Sequence, residues 1–172
     1  MFNKIFRRTL AASALLIGAS IWVAPIAKAA SDNDTVSGEV AAINSVDYTA
    51  PGQFTLDPTN GNTDESFGSV TIQNNDNDGW TLTVTSTNSG NLNHATFGNI
   101  PYTDFEANRG GGAIDVTITG GTDTVEDVSA LTCADSTGCT YNITADIANT
   151  AIDGMAAGVY SDTLTFTLTS GL

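Results

Sequence analysis

Apolar and polar residues alternate with period two along several stretches of this chain. The clearest is Trp80-Thr81-Leu82-Thr83-Val84-Thr85, in which Trp80, Leu82 and Val84 point one way and the threonines the other. Such alternation, with a polar outer face, predicts a half-buried antiparallel strand. Ile114, Val116 and Ile118 alternate in the same way with Asp115, Thr117 and Thr119. Tyr141, Ile143, Ala145 and Ile147 form another set, and Leu164, Phe166 and Leu168 the last. Val70 and Ile72 predict a strand paired with the one starting at Trp80, through turn residues Asn74 to Gly79 in which Asp78-Gly79 is a hairpin signal. An early strand is expected from Val36 to Tyr48, with Val36, Gly38, Val40, Ala42, Val46 and Tyr48 on one face and Asn44 interrupting it. Phe54 and Leu56 lie between Pro51 and Pro58 and predict a short strand or edge segment, because proline cannot donate to a ladder interior.

Residues 88–112 are less regular. They read as a long ordered loop that packs Phe97, Ile100, Tyr102 and Phe105 under the sheets, with Gly110-Gly111-Gly112 as a flexible joint. Helical periodicity is almost absent beyond the N-terminal region. Short strands separated by turn clusters predict an all-β fold, an antiparallel Ig-like or jelly-roll-like β-sandwich of about 7–9 strands.

The N-terminus changes the picture of where this domain works. Lys4, Arg7 and Arg8 precede an apolar run from Leu10 to about Ala24, and Ala27-Lys28-Ala29 supplies a small-x-small cleavage pattern. Residues 1–29 are therefore expected to be a signal peptide, the apolar run being short for a membrane anchor. Residues 30–172 are expected to form a single β-sandwich domain, of which 30–50 is the first strand or a donor strand. The expected location is secreted, extracellular or at the cell surface, by way of the periplasm in a Gram-negative host, with no membrane insertion after cleavage.

Cleavage would also remove Lys4, Arg7, Arg8 and Lys28. Arg109 then remains as the one Lys or Arg against 19 Asp and Glu. So acidic a chain repels nucleic acid and anionic lipid, which excludes both as expected partners. Cys133 and Cys139 stand six positions apart around the turn-forming Ala-Asp-Ser-Thr-Gly, and in an oxidising compartment they predict a disulfide that pins one tight loop.

Candidate chemistry is sparse. His94 is the only histidine, and its neighbours Asn93, Ala95 and Thr96 suggest neither a nucleophile nor a fixed carboxylate partner. The acids are scattered over turns and outward strand faces, the pattern of a solvated surface. The three glycines at 110–112 have no strand-to-helix context and no lysine, so they do not make a phosphate loop. No enzyme activity and no cofactor are expected. Calcium is the one cation considered. Asn74, Asp76 and Asp78 match the opening of a calcium loop, yet the twelfth position is Thr85 where a bidentate glutamate is required. A looser oxygen site there, or around Asp57, Asn60, Asn62, Asp64 and Glu65, competes with the ordinary use of Asn and Asp in turns.

Two threonine rows stand out, Thr81, Thr83 and Thr85 on one strand and Thr163, Thr165, Thr167 and Thr169 on another. Ladders of this kind occur in some ice-binding proteins. Threonine is also an ordinary solvent-facing strand residue, and no repeat of fixed period would align these rows into one array.

Asp78-Gly79-Trp80-Thr81-Leu82-Thr83-Val84 resembles the Gly-Trp-x-Leu segment of WxL-type surface domains of Gram-positive bacteria. The closing Ala157-Gly158-Val159-Tyr160-Ser161-Asp162-Thr163-Leu164-Thr165-Phe166-Thr167-Leu168 resembles their last strand, and equally that of spore coat protein U and fimbrial-subunit domains, where A-G-x-Y-x-D-T opens the C-terminal strand. Both resemblances imply an extracytoplasmic β-sandwich engaged in surface structure or assembly. The expected function is an exported structural or adhesive surface protein, a filament, pilus-like or coat subunit whose partners are itself or other surface subunits. Val36, Gly38, Val40 and Ala42 are the candidate assembly strand, able to add to a neighbour's open edge. The alternative is a soluble secreted binding module for calcium or glycan.

Overall fold

The computed structural model describes residues 35–118 and 120–171. The expected signal peptide and its cleavage site lie outside the described residues. Glu39–Leu172 forms one compact unit; of the preceding unit, Met1–Gly38, residues 35–38 are described and carry no strand.

Among the described residues, ten strands and one short helix follow in chain order. They are β1 (Asn44–Thr49), β2 (Asn62–Asn74), β3 (Trp80–Ser86), β4 (Asn91–His94), β5 (Gly98–Pro101), β6 (Thr103–Arg109), β7 (Gly112–Asp115), β8 (Thr122–Val128), β9 (Cys139–Ile147), α1 (Asn149–Ile152) and β10 (Leu164–Ser170). A five-stranded sheet has the order β1-β2-β9-β6-β7, a three-stranded sheet the order β10-β3-β8, and β4 and β5 form a small hairpin. Every strand pair is antiparallel. The fold is all-β and sandwich-like, as the alternation predicts.

The alternating positions explain the layers. Val70 and Ile72 of β2 and Tyr141, Ile143, Ala145 and Ile147 of β9 are buried, as are Trp80, Leu82 and Val84 of β3 and Phe166 and Leu168 of β10. One hydrophobic cluster contains them all. Burying each such side chain contributes roughly 1.5–3 kcal/mol relative to leaving it in water.

Several expectations are corrected. β2 and β3 do not pair. β2 lies between β1 and β9, and β3 between β10 and β8. Residues 75–79 therefore form a corner between sheets, because both strands carry an apolar face, and those faces gain more from packing than from pairing. Gly79 (φ 92°) is required at that corner, since a Cβ would lie 1.8 Å from the Val128 carbonyl oxygen.

Residues 88–112 are mostly strand: β4, β5 and β6 occupy most of the stretch. Its apolar residues do pack inward, with Ile100, Tyr102 and Phe105 buried, whereas Phe97 is exposed. Gly110 (φ 62°) and Gly111 (φ 90°) are no flexible joint. They form the two-residue turn of the β6–β7 hairpin, in which Arg109 faces Gly112 and both central residues need positive φ. The strand expected over 114–119 accordingly starts earlier and ends at Asp115, although Val116 is buried.

The early strand begins only at Asn44. Residues 35–43 carry no strand, and Val36 and Val40 are 98% and 86% exposed. Only Val46 and Tyr48 of the expected face stand opposite Ile72 and Val70 in β2. Phe54 and Leu56 form no strand either. Residues 50–57 are irregular and half-cover an apolar groove.

Candidate functional site

An apolar groove opens on the folded unit. Residues 50–58 form one wall and 154–164 the other, with Phe67, Leu92, Ile100 and Ile152 between them, enclosing about 840 Å³. Phe54 packs on Phe67 with ring centroids 5.8 Å apart, and Phe67 on Tyr102 at 4.9 Å. Across the neighbouring corner Tyr48 meets Phe166 at 4.9 Å. The wall 50–58 leaves β1 at Thr49 and passes over Gly68, where a Cβ would lie 2.3 Å from the Thr49 carbonyl oxygen.

The wall 154–164 contains the A-G-x-Y-x-D-T motif, and its geometry gives each motif residue a task. Gly158 allows the His94 ring to approach, since a Cβ there would lie 2.9 Å from His94 Nε2 and Cδ2. Tyr160 packs against the same ring at 5.3 Å. Ser161 exchanges two backbone hydrogen bonds with Asn93, at 2.8 and 3.0 Å. Asp162 is the anchor. Its carboxylate accepts from Ser86 Oγ at 2.5 Å, the Tyr102 hydroxyl at 2.8 Å, and the N–H groups of Asn88 at 2.9 Å and Thr163 at 2.7 Å. Ser86 in turn accepts from the Gly90 N–H at 2.8 Å. Burial first, and the carboxylate beside it, push the Tyr102 hydroxyl above its ordinary range; the same two causes, in the same order, raise Tyr48. This network ties β3, the β4–β5 hairpin and the start of β10 together. Nothing in the sequence singles out Ser86 or Tyr102 as its members, because they lie 76 and 60 residues away from Asp162 along the chain.

At the opposite end Cys133 and Cys139 form the expected disulfide, with Cα atoms 5.1 Å apart. Asp135 shapes the loop they close, accepting from the N–H groups of Thr137 and Gly138 and from the Thr137 hydroxyl; that hydroxyl is the main reason its carboxyl sits below the ordinary value. Arg109 lies beside it. One guanidinium nitrogen donates to the Tyr141 hydroxyl at 3.1 Å, stands 3.8 Å from Glu126, and lies 3.6 Å from Cys133 Sγ. The Tyr141 hydroxyl donates to Glu126, and burial followed by that carboxylate raises its pKa well above the usual phenol range.

The calcium candidates have other work. Asn74 is buried, donates to Asn44 and Ser170, and its oxygen accepts the Asp76 N–H at 2.9 Å. Asp76 accepts the Asp78 N–H at 3.0 Å. These are turn hydrogen bonds. Asp57 behaves likewise, accepting from the side chain of Asn60 and the N–H groups of Thr59 and Asn60, which lower its pKa. Asn62 donates to Glu65 at 2.7 Å and to the Thr55 carbonyl, while the Asp64 N–H donates to the Asp146 carboxylate at 2.8 Å. No group of three His, Cys, Asp or Glu with metal-holding geometry exists among the described residues. His94 stacks on Phe97 at 4.4 Å, and its Nδ1 accepts the N–H groups of Thr96 and Phe97. That arrangement makes it the organiser of a turn.

Comparison with family models, with curated proteins and with solved structures gives no match to this chain. Function therefore has to be argued from the surfaces themselves. Two coarse facts bear on location: the disulfide, and the lack, among the described residues, of any helix long and apolar enough to cross a membrane.

Proposed function

We propose that this protein is an exported structural or adhesive surface protein, a subunit that joins its neighbours by β-strand addition. The observation that carries this reading is the segment 35–43. It alternates Val36, Gly38, Val40 and Ala42, yet it lies outside every sheet and leaves both valines in solvent. A water-exposed apolar alternation is a strand without a sheet. At the C-terminal end of the segment Asn75 donates to the Ala41 carbonyl at 2.7 Å and accepts the Ile43 N–H at 2.6 Å.

Further support comes from the open sheet edges. β8 and β10 each have one strand neighbour in the three-stranded sheet, as β1 and β7 do in the five-stranded one. The disulfide suits an oxidising, extracytoplasmic compartment. The resemblance of the closing segment to coat and fimbrial subunits points the same way.

The test is the assembly state of the purified chain. Electron micrographs and sedimentation should show high-mass species that Val40→Asp abolishes, because burying an unpaired carboxylate in a neighbour costs several kcal/mol. Glu39→Gln, on the other face of the segment, should leave them intact. A strictly monomeric wild type from micromolar to millimolar concentration would end this reading.

A further inference from the structure

The register of the three-stranded sheet does what no sequence repeat announces. β10 pairs with β3 so that Thr165 stands opposite Thr85, Thr167 opposite Thr83 and Thr169 opposite Thr81. β8 flanks β3 on its other side with Thr122 opposite Thr85, Thr124 opposite Thr83 and Asp127 opposite Thr81. A bulge in β8 between the partners of Leu82 and Thr83 resets its alternation, so that Asp127 and Thr124 both fall on the outer face. The ladder continues past the sheet through the Thr87 N–H, which donates to the Thr163 carbonyl at 3.0 Å and adds a fourth pair of threonines.

The outer face is thus a grid. Its columns are β10, β3 and β8, about 4.7–4.9 Å apart, and its rows repeat every second residue along β3 and β10, about 6.6 Å along the strand, while the bulge in β8 sets three residues between its Thr124 and Asp127 nodes. Nearly every node is a threonine. The inner nodes of the same strands are Trp80, Leu82, Val84, Phe166 and Leu168, which are buried and hold the sheet in place.

Three properties narrow what such a face can bind. First, it is uncharged except for Asp127 at one corner, in a chain with 19 Asp and Glu. A cationic partner is better served elsewhere, and the neutrality of this face favours a neutral one. Second, none of its nodes is aromatic, so it offers no platform for stacking a sugar ring and no apolar bulk for a protein hot spot. Third, its side chains are held. β-branching leaves threonine few rotamers, and cross-strand bonds fix several of them: Thr85 with Thr122 at 3.1 Å, Thr81 to Asp127 at 3.0 Å and Thr83 to the Thr167 carbonyl at 3.4 Å. Each node offers one hydroxyl that hydrogen-bonds water and one methyl that makes neighbouring waters bond to one another. Repeated at fixed spacing in two dimensions, this is a template for ordered water.

We propose that the threonine face of the three-stranded sheet is an ice-binding surface, its ligand the lattice of a growing ice crystal. The proposal does not rest on strand addition, since a monomer presents the whole face.

The test is ice-crystal morphology and thermal hysteresis of the purified protein, together with adsorption of fluorescently labelled protein to a single-crystal ice hemisphere. Wild type should facet the crystal and bind the hemisphere. Thr83→Lys places a hydrated charge at the centre of the grid and should abolish both effects. Thr167→Ser keeps the hydroxyl, removes a methyl from an exposed node and should weaken both at unchanged melting temperature. Thr71→Lys is the control, because Thr71 pairs with Thr140 at 2.9 Å on the outer face of the other sheet; it should change nothing. Round, unfaceted crystals and a bare hemisphere with wild type at millimolar concentration overturn the proposal. So does equal loss in Thr71→Lys and Thr83→Lys. If wild type leaves ice untouched while Thr83→Lys dissociates a complex between copies, the face belongs to a second copy of this chain and the proposal is likewise overturned.

Discussion

The two ends of the sandwich are closed by different means. At one end a covalent bond, Cys133–Cys139, fastens a loop whose own turn is already held by Asp135. The nearby Arg109, Glu126 and Tyr141 add a partly exposed ionic cluster, with Arg109 and Glu126 side chains 38% and 24% accessible. At the other end there is no covalent link. A single carboxylate, Asp162, gathers donors from β3, from the residues following it, from Tyr102 and from its own neighbour Thr163. The covalent end is local in sequence and acts mainly by restricting the unfolded chain. The carboxylate end is long-range and acts in the folded state, since each of its donors would be stranded without it. The groove lies at the second end, between walls that have no strand pairing across them.

The largest expected effect breaks the carboxylate end. Asp162→Ala should strand Ser86, Tyr102 and the Asn88 N–H at once, at roughly 1–3 kcal/mol for each buried group. Urea unfolding would show the loss as a lower midpoint, and protease should cut within 154–163 before global unfolding. An unchanged midpoint would mean that water replaces the carboxylate and that this end is not anchored as described. Removing the covalent end comes next. Cys133→Ala with Cys139→Ala should cost roughly 2–3 kcal/mol for so short a loop, with protection of the 154–163 wall unchanged.

Alkaline pH should sharpen the comparison by acting on both ends together. Tyr48 and Tyr102 beside Asp162, and Tyr141 beside Glu126, all have folded pKa values raised above the ordinary phenol value of 10.0. The folded state therefore keeps protons that the unfolded chain releases. Its stability is intact below about pH 10 and falls as pH rises beyond that. Tyrosinate absorbance and circular dichroism should change together in an alkaline titration; phenol ionisation well before any loss of structure would show the hydroxyls to be freely solvated.

A smaller effect is expected for Arg109→Met, which removes a partly exposed ion pair and should cost about 1 kcal/mol or less by thermal melting. The smallest concerns calcium. Asn74 and Asp76 already spend their side-chain oxygens on backbone N–H groups, so calcium and sodium chloride at matched ionic strength should raise the melting temperature equally, by screening carboxylate repulsion. A larger shift with calcium would reveal a site that the turns do not foreshadow.

The sequence by itself determined the local features, because their causes lie within a few residues. Alternation places Trp80, Leu82, Val84, Tyr141, Ile143 and Ile147 in the core, and a short spacing between turn-forming residues joins Cys133 to Cys139. The motif Ala157 to Thr163 is visible as a pattern, but its purpose is not, since its partners Ser86, Asn88, Tyr102 and His94 each lie 60 or more positions before the motif residue they touch. Only the tertiary structure decided that β2 and β3 part at Gly79 into separate sheets, that 88–112 is largely strand, and that Val36 and Val40 stay outside. It also decided the threonine grid. Period two assigns each threonine to the outer side of its own strand, but which threonines become neighbours depends on strand order and register. Those are set by how the two apolar faces pack, and a packing partner far along the chain leaves no mark on the residues around it.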